Sequence, residues 1–168
     1  MKILFNPFTG NFDFVEKTKE VGVLYLKNNT TPTVISAINA RAIVDGTMQT
    51  GLLDAFAKDV GTNSLKYIGA GGRFHVVATF SFISGSQDIC GFYIGVNRNQ
   101  SSSLDPNADR ISESEIYANA GSTSNQPKTG TIQTVLDLNA NDRLFFIVQN
   151  QSSTNSIVVG FLKFAVIA

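Results

Sequence analysis

Between Arg73 and Ile83 an apolar side chain falls at every second position. Phe74, Val76, Ala78, Phe80 and Phe82 share one face, and His75, Val77, Thr79 and Ser81 share the other. A period of two sustained over this length suits a half-buried strand and cannot be laid on a helix. Ile89 to Asn97 repeats the device, with Cys90, Phe92, Ile94 and Val96 on one side and Tyr93 between the small Gly91 and Gly95 on the other. The segments around these two are short and bounded by Gly, Asn, Asp and Ser, which predicts many strands and few helices. Ser, Thr, Asn and Gly make up 58 of the 168 residues while charged residues are only 15%, the balance of turn-rich β structure.

Val21 to Leu26 reads as one strand and Thr33 to Val44 as another strand region. Residues 48–60 are ambiguous: Leu52, Phe56 and Val60 fall at helical spacing, whereas Gly51 and Gly61 suit a loop. Residues 99–130 are polar, with one short candidate strand, Glu113 to Ala118. A loop region of that length is usually a surface feature that carries recognition, and Asp105, Asn107, Asp109 and Arg110 are its candidate contact residues. Thr131 to Leu138 alternates, residues 139–142 form a turn, and Leu144 to Gln149 and Ile157 to Ile167 close the chain as strands. Those last two carry apolar residues on both faces, so each calls for a covering element or a subunit contact, and the subunit contact is preferred. Eight or more antiparallel strands around one core, without an internal repeat, predict an all-β, antiparallel jelly-roll β-sandwich.

The chain offers little for catalysis. Cys90 and His75 are single members of their kinds, so no intrachain disulfide or Cys/His metal cluster is expected. Gly69-Ala70-Gly71-Gly72 leads into a strand and not a helix, which makes it a turn and not a dinucleotide fingerprint. Asp105 and Asp109, with Glu113 and Glu115 beyond, lack the full pattern of a calcium loop and read as a solvated acidic loop. Glu113 and Glu115 would share a strand face, the paired-carboxylate arrangement of glycoside hydrolysis, but without an aromatic sugar platform nearby. No catalytic residue, cofactor or metal is therefore expected. Thirteen basic and thirteen acidic residues cancel, which argues against nucleic-acid binding. No apolar run is long enough for a transmembrane helix, and the break at Asn6-Pro7 argues against a secretion signal.

Residues 1–20 stand apart as an extended aromatic N-terminal arm ahead of one domain, residues 21–168. Phe5, Phe8, Phe12 and Phe14, with Pro7, crowd into its first fifteen residues. Left in water they would be an aggregation liability, so the arm is expected to dock on a neighbouring subunit or a larger assembly.

The run Leu65-Lys66-Tyr67-Ile68-Gly69, the Gly-rich turn, and Arg73-Phe74-His75-Val76-Val77-Ala78 resemble early core strands of tumour-necrosis-factor-like and complement-globular-head-like jelly rolls. Val135-Leu136-Asp137-Leu138, Asn141-Asp142-Arg143-Leu144, Val148-Gln149-Asn150 and the closing strand look like the end of the same domain, so the resemblance spans about residues 33–168. It implies about ten strands and a homotrimer in which doubly apolar strands pack about a threefold axis, with Phe145, Ile147, Phe161, Ala165 and Ile167 as contact candidates. A short aromatic arm ahead of such a domain also looks like small virion proteins of tailed bacteriophages. The expectation is a decoration or cement protein, made in the host cytoplasm and seated on the capsid exterior, whose arm binds the major capsid protein. The alternative is a fibre knob that recognises a host-surface glycan or protein through residues 99–130.

Overall fold

The computed structural model describes residues 2–6, 11–15, 19–59, 61–98, 103–123 and 125–168, with the backbone alone described for the first two segments. Among the described residues there are thirteen strands and no α-helix. β1 (Lys2–Asn6) and β2 (Asn11–Val15) pair with each other as an antiparallel two-stranded ribbon. The expected extended arm is thus folded back on itself, with Phe5 opposite Phe12 and Ile3 opposite Phe14. Pro7 and Phe8 lie outside the described residues.

The other strands are β3 (Val21–Leu26), β4 (Arg41–Ile43), β5 (Gln49–Asp54), β6 (Phe56–Asp59), β7 (Ser64–Tyr67), β8 (Gly72–Ile83), β9 (Ile89–Asn97), β10 (Ile116–Asn119), β11 (Lys128–Leu138), β12 (Arg143–Asn150) and β13 (Val158–Ile167). They form two antiparallel sheets, one ordered β10-β9-β12-β7-β6 with β4 also on β12, the other ordered β11-β8-β13-β3-β5. The architecture is the expected all-β jelly-roll sandwich.

The alternation read from Arg73 to Ile83 has a direct physical outcome. Phe74, Val76, Ala78, Phe80 and Phe82 all point between the sheets, where Phe80 meets Phe92 at 4.4 Å and Phe146 at 5.0 Å between ring centroids. At these separations tilted aromatic pairs add to the burial of their area. Leu24, Leu162, Phe164 and Val166 complete the inner side of the second sheet.

Three local expectations are corrected. Where helix or loop was weighed over residues 48–60, residues 49–54 and 56–59 form two strands, β5 and β6, which belong to different sheets, and Val60 lies outside the described residues. Ala55 joins them at φ 59°, a left-handed corner that the helical spacing of Leu52 and Phe56 concealed. Of the strand region Thr33 to Val44, Thr33 makes a single bridge to Ile157 and Arg41–Ile43 forms β4. A turn closed by Ala40 N–H on the Ala37 carbonyl at 2.9 Å, with Asn39 at φ 67°, interrupts the rest. The candidate strand from Glu113 begins later, at Ile116, after a 3₁₀ turn at Ser112–Ser114. Glu113 and Glu115 therefore do not share a strand face.

Candidate functional site

Two outer faces result, and they differ in kind. On the second sheet the outward side chains of β13 alternate with its core residues: Phe161 is 40% and Ile167 36% exposed, while Leu162, Phe164 and Val166 are buried. Register extends this surface sideways. Ile167 lies between Val21 of β3 and His75 of β8, and His75 faces Val135 of β11, which is 59% exposed. One step along, Ala165 lies between Val23 and Val77. These two adjacent rows form an apolar band at the end of the sheet where the chain arrives from the β1–β2 ribbon. Nothing among the described residues covers it.

Of the contact candidates, Phe161 and Ile167 are exposed on this outer face and Ala165 is partly exposed. Phe145 and Ile147 are not, and their assignment to that contact is corrected: both have no exposed surface. They sit on the outer side of the first sheet in a small second core with Tyr93, against which Ile43 and Leu104 pack. The two-faced apolar pattern of β12 arises from a covering element of the same chain.

That cover carries the polar cluster. Tyr93 on β9 is fully buried, and Arg41 from β4 and Arg110 from the loop each place the guanidinium carbon 5.4 Å from its ring centroid. Such spacing is that of a cation over an aromatic ring. The Tyr93 hydroxyl lies 3.0 Å from Glu115 Oε1 and 3.1 Å from the Tyr117 hydroxyl, and it makes a further bond to Gln149 Oε1. Burial, then the bond and charge of Glu115, push the Tyr93 hydroxyl above its ordinary pKa, so it keeps its proton at neutral pH. The flanking glycines allow this crowding. A Cβ at Gly91 would stand 2.8 Å from the Tyr93 hydroxyl and 2.9 Å from the Tyr117 ring, and one at Gly95 would stand 2.5 Å from the Phe145 ring.

The four recognition candidates divide. Asp109 is buried, and its Oδ2 accepts from Asn97 Nδ2 at 2.9 Å and from the Asp105 N–H at 3.0 Å. Asp105 Oδ1 accepts from the N–H groups of Asn107 and Ala108. Those two acids hold their own loop. Asn107 and Arg110 turn to the cluster instead: Asn107 Oδ1 accepts from Arg41 at 3.2 Å, and Arg110 pairs with Glu115 at 3.4 Å. Among the described residues no three His, Cys, Asp or Glu side chains group to hold a metal ion. His75 lies exposed on the apolar band, and Cys90 is buried in the core with its thiol pushed up to about 11, chiefly by burial.

Arg41, Tyr117 and Gln149 did not stand out in the sequence, because the cluster is gathered from four strands and a loop. The local signal was Tyr93 flanked by Gly91 and Gly95, two missing side chains on the side where partners must approach.

No protein-family model matches the chain, and no curated protein matches it. Solved structures do. A crystal structure of murine APRIL at pH 5.0 aligns with a TM-score of 0.55 and 8% identity over 89% of this chain and 100% of that one. The structure of Eiger TNF from S. frugiperda aligns with a TM-score of 0.55 and 13% identity over 90% of this chain and 94% of that one. The likeness is one of fold: the sandwich is a tumour-necrosis-factor-like jelly roll.

Proposed function

We propose that this is a non-catalytic structural protein, a homotrimeric capsid decoration protein of a tailed bacteriophage. The observation that carries the reading is the uncovered apolar band of Val21, Ile167, His75 and Val135 beside Val23, Ala165 and Val77. A monomer leaves such a patch wet at a cost of roughly 25 cal/mol per Å² of apolar area, which association recovers. Three copies packed face to face about an axis cover the band, with Phe161 on the same face beyond the exposed Lys163.

The β1–β2 ribbon is the docking piece. It pairs with neither sheet, and an isolated hairpin is marginal in water, so a surface is needed to keep it formed. In sequence it directly precedes β3, whose first residue, Val21, belongs to the apolar band. In this reading the ribbon, with Phe5, Phe12 and Phe14, seats on the major capsid protein and adds buried area across capsomer junctions on the outside of the shell. Stabilisation is then by mass action.

Light scattering on the full chain and on a variant lacking residues 1–15 is the test. The full chain should give about 54 kDa, three times its 18.1 kDa, the shortened chain should give three times its own smaller chain mass, and only the full chain should cosediment with the encoding virus's shells. A monomeric mass for both would overturn the trimer. Full-affinity shell binding by the truncated protein would overturn the docking role of the ribbon.

A further inference from the structure

The Tyr93 cluster faces away from the apolar band, on the other sheet, and its arrangement exceeds what fastening a loop requires. Arg41 donates to Asn107 Oδ1, stacks on Tyr93, and has no carboxylate within 4 Å among the described residues. Its Nε is buried without a hydrogen-bond partner. Two guanidinium groups thus stand around one ring with Glu115 as their single carboxylate, which leaves positive charge unbalanced. A buried donor left unmet is a cost that a folded chain normally avoids.

The acceptors are unbalanced too. A tyrosine hydroxyl has one proton, yet Glu115 Oε1 and Gln149 Oε1 both lie within reach of that of Tyr93. Gln149 is buried, and its Nε2 donates to the Asn39 carbonyl at 2.7 Å, which fixes its Oε1 toward Tyr93. One proton cannot serve both oxygens at once, so the pair holds one acceptor more than Tyr93 can satisfy, and of the two residues Glu115 is the one that is partly exposed. Beside it the ring of Tyr117 is 48% exposed, edge-on to Tyr93 at 6.4 Å between centroids.

We propose that Arg41, Arg110, Glu115 and Tyr117 form a binding site for an acidic saccharide. The guanidinium groups take the sugar carboxylate, Glu115 accepts from ring hydroxyls, and Tyr117 supplies the flat apolar surface on which a pyranose rests. A neutral sugar leaves the excess positive charge unmet. An acidic peptide added along the edge strand β10 would take its affinity from main-chain bonds and apolar anchor pockets and not from the paired guanidinium groups, and Tyr117 stands here as a single exposed aromatic beside charged groups. The aromatic neighbour missing from the sequence reading of Glu113 and Glu115 is supplied by Tyr117, for binding and not for hydrolysis: Glu113 lies apart on the 3₁₀ turn.

The site is independent of capsid decoration and of the trimer. Calorimetric titration of the full chain with sialyllactose, lactose and a Glu/Asp-rich peptide separates the possibilities. Sialyllactose should bind at least about tenfold more tightly than lactose, and Arg41→Gln or Tyr117→Ala should weaken it by about tenfold or more. Tyr117 is exposed, so Tyr117→Ala should melt with the parent, which keeps loss of binding apart from loss of fold. A Phe161→Asp variant with reduced mass should still bind. No heat with any saccharide, binding indifferent to both substitutions, or a peptide that binds as well as sialyllactose would overturn the site. None of these outcomes alters the mass expected for the trimer.

Discussion

The hydroxyl of Tyr67, a side chain with no exposed surface, lies 2.8 Å from Glu20 Oε2 at the point where the chain enters β3. Tyr67 belongs to one sheet and β3 to the other, so this bond ties the two layers together at the base of the ribbon. The same hydroxyl oxygen accepts the Gly71 N–H at 3.2 Å, and the Glu20 carbonyl accepts the Ala168 N–H at 3.0 Å. Burial, then the bond to Glu20, raises the Tyr67 pKa, which secures it as a donor at neutral pH.

Replacement of Tyr67 by Phe should cost about 1–2 kcal/mol, since it removes a bond to a charged group and strands the Gly71 N–H. Urea unfolding measures the loss. A midpoint equal to that of the parent would show that the clasp contributes nothing to stability.

Phe161 and Phe145, close in type and both once candidates for the same contact, should respond in opposite ways. Phe161→Asp places a charge on the outer face of β13, beyond Lys163 from the open band, and should lower the mass of the assembly while the melting of the domain changes little. Phe145→Ala opens a cavity in the small core beneath Tyr93 and should cost about 3–5 kcal/mol. If Phe161→Asp kept the full mass, Phe161 would not belong to the contact, and if Ile167→Asp kept it too, the band would not be the contact.

Asp88 is buried yet has no cation beside it among the described residues. Burial alone would raise its pKa, but hydrogen bonds from Asn150, Asn155 and Ser84 outweigh that and hold it below the ordinary carboxylate value. A depressed folded pKa means stability that is present above about pH 4, the unfolded value, and is lost as pH falls through the folded value. Asp88→Asn turns one acceptor into a donor facing donors. The stability gap between parent and variant should be wide at pH 7 and narrow as the pH falls through the depressed folded value. A gap that does not change with pH would remove Asp88 as its source.

Cys90 should be nearly inert in the folded protein. With its thiol at about 11, the thiolate fraction at pH 8 is about one in a thousand, and burial blocks approach as well. A chromogenic disulfide reagent should label it slowly in buffer and at once in denaturant. Equal rates in both would contradict its burial.

The architecture was legible where one side chain in two decides the matter. Phe74 to Phe82 and Cys90 to Val96 revealed strand, face and core together, because a register slip would turn every phenylalanine to water. Ala55 was not legible: an alanine at positive φ carries no residue-type signal, so the corner between β5 and β6 was hidden inside a helical spacing. Phe145 and Ile147 showed that β12 needed covering on both sides, but the identity of the cover depended on where Leu104 and Ile43 fold. The cluster around Tyr93 was legible in one respect alone, the glycines that clear its sides. Arg41 and Gln149 reach it from distant parts of the chain, and pairing across such distances leaves no local pattern.

The second small core also has a consequence for how far association can proceed. A sandwich with two bare apolar faces would stack copy upon copy, each addition exposing a fresh face to the next. Here Leu104 and its loop close one side within the chain, and the apolar band remains on the other. In the proposed trimer, growth would therefore end once the bands have met, with a closed ring and not a filament as the terminal product.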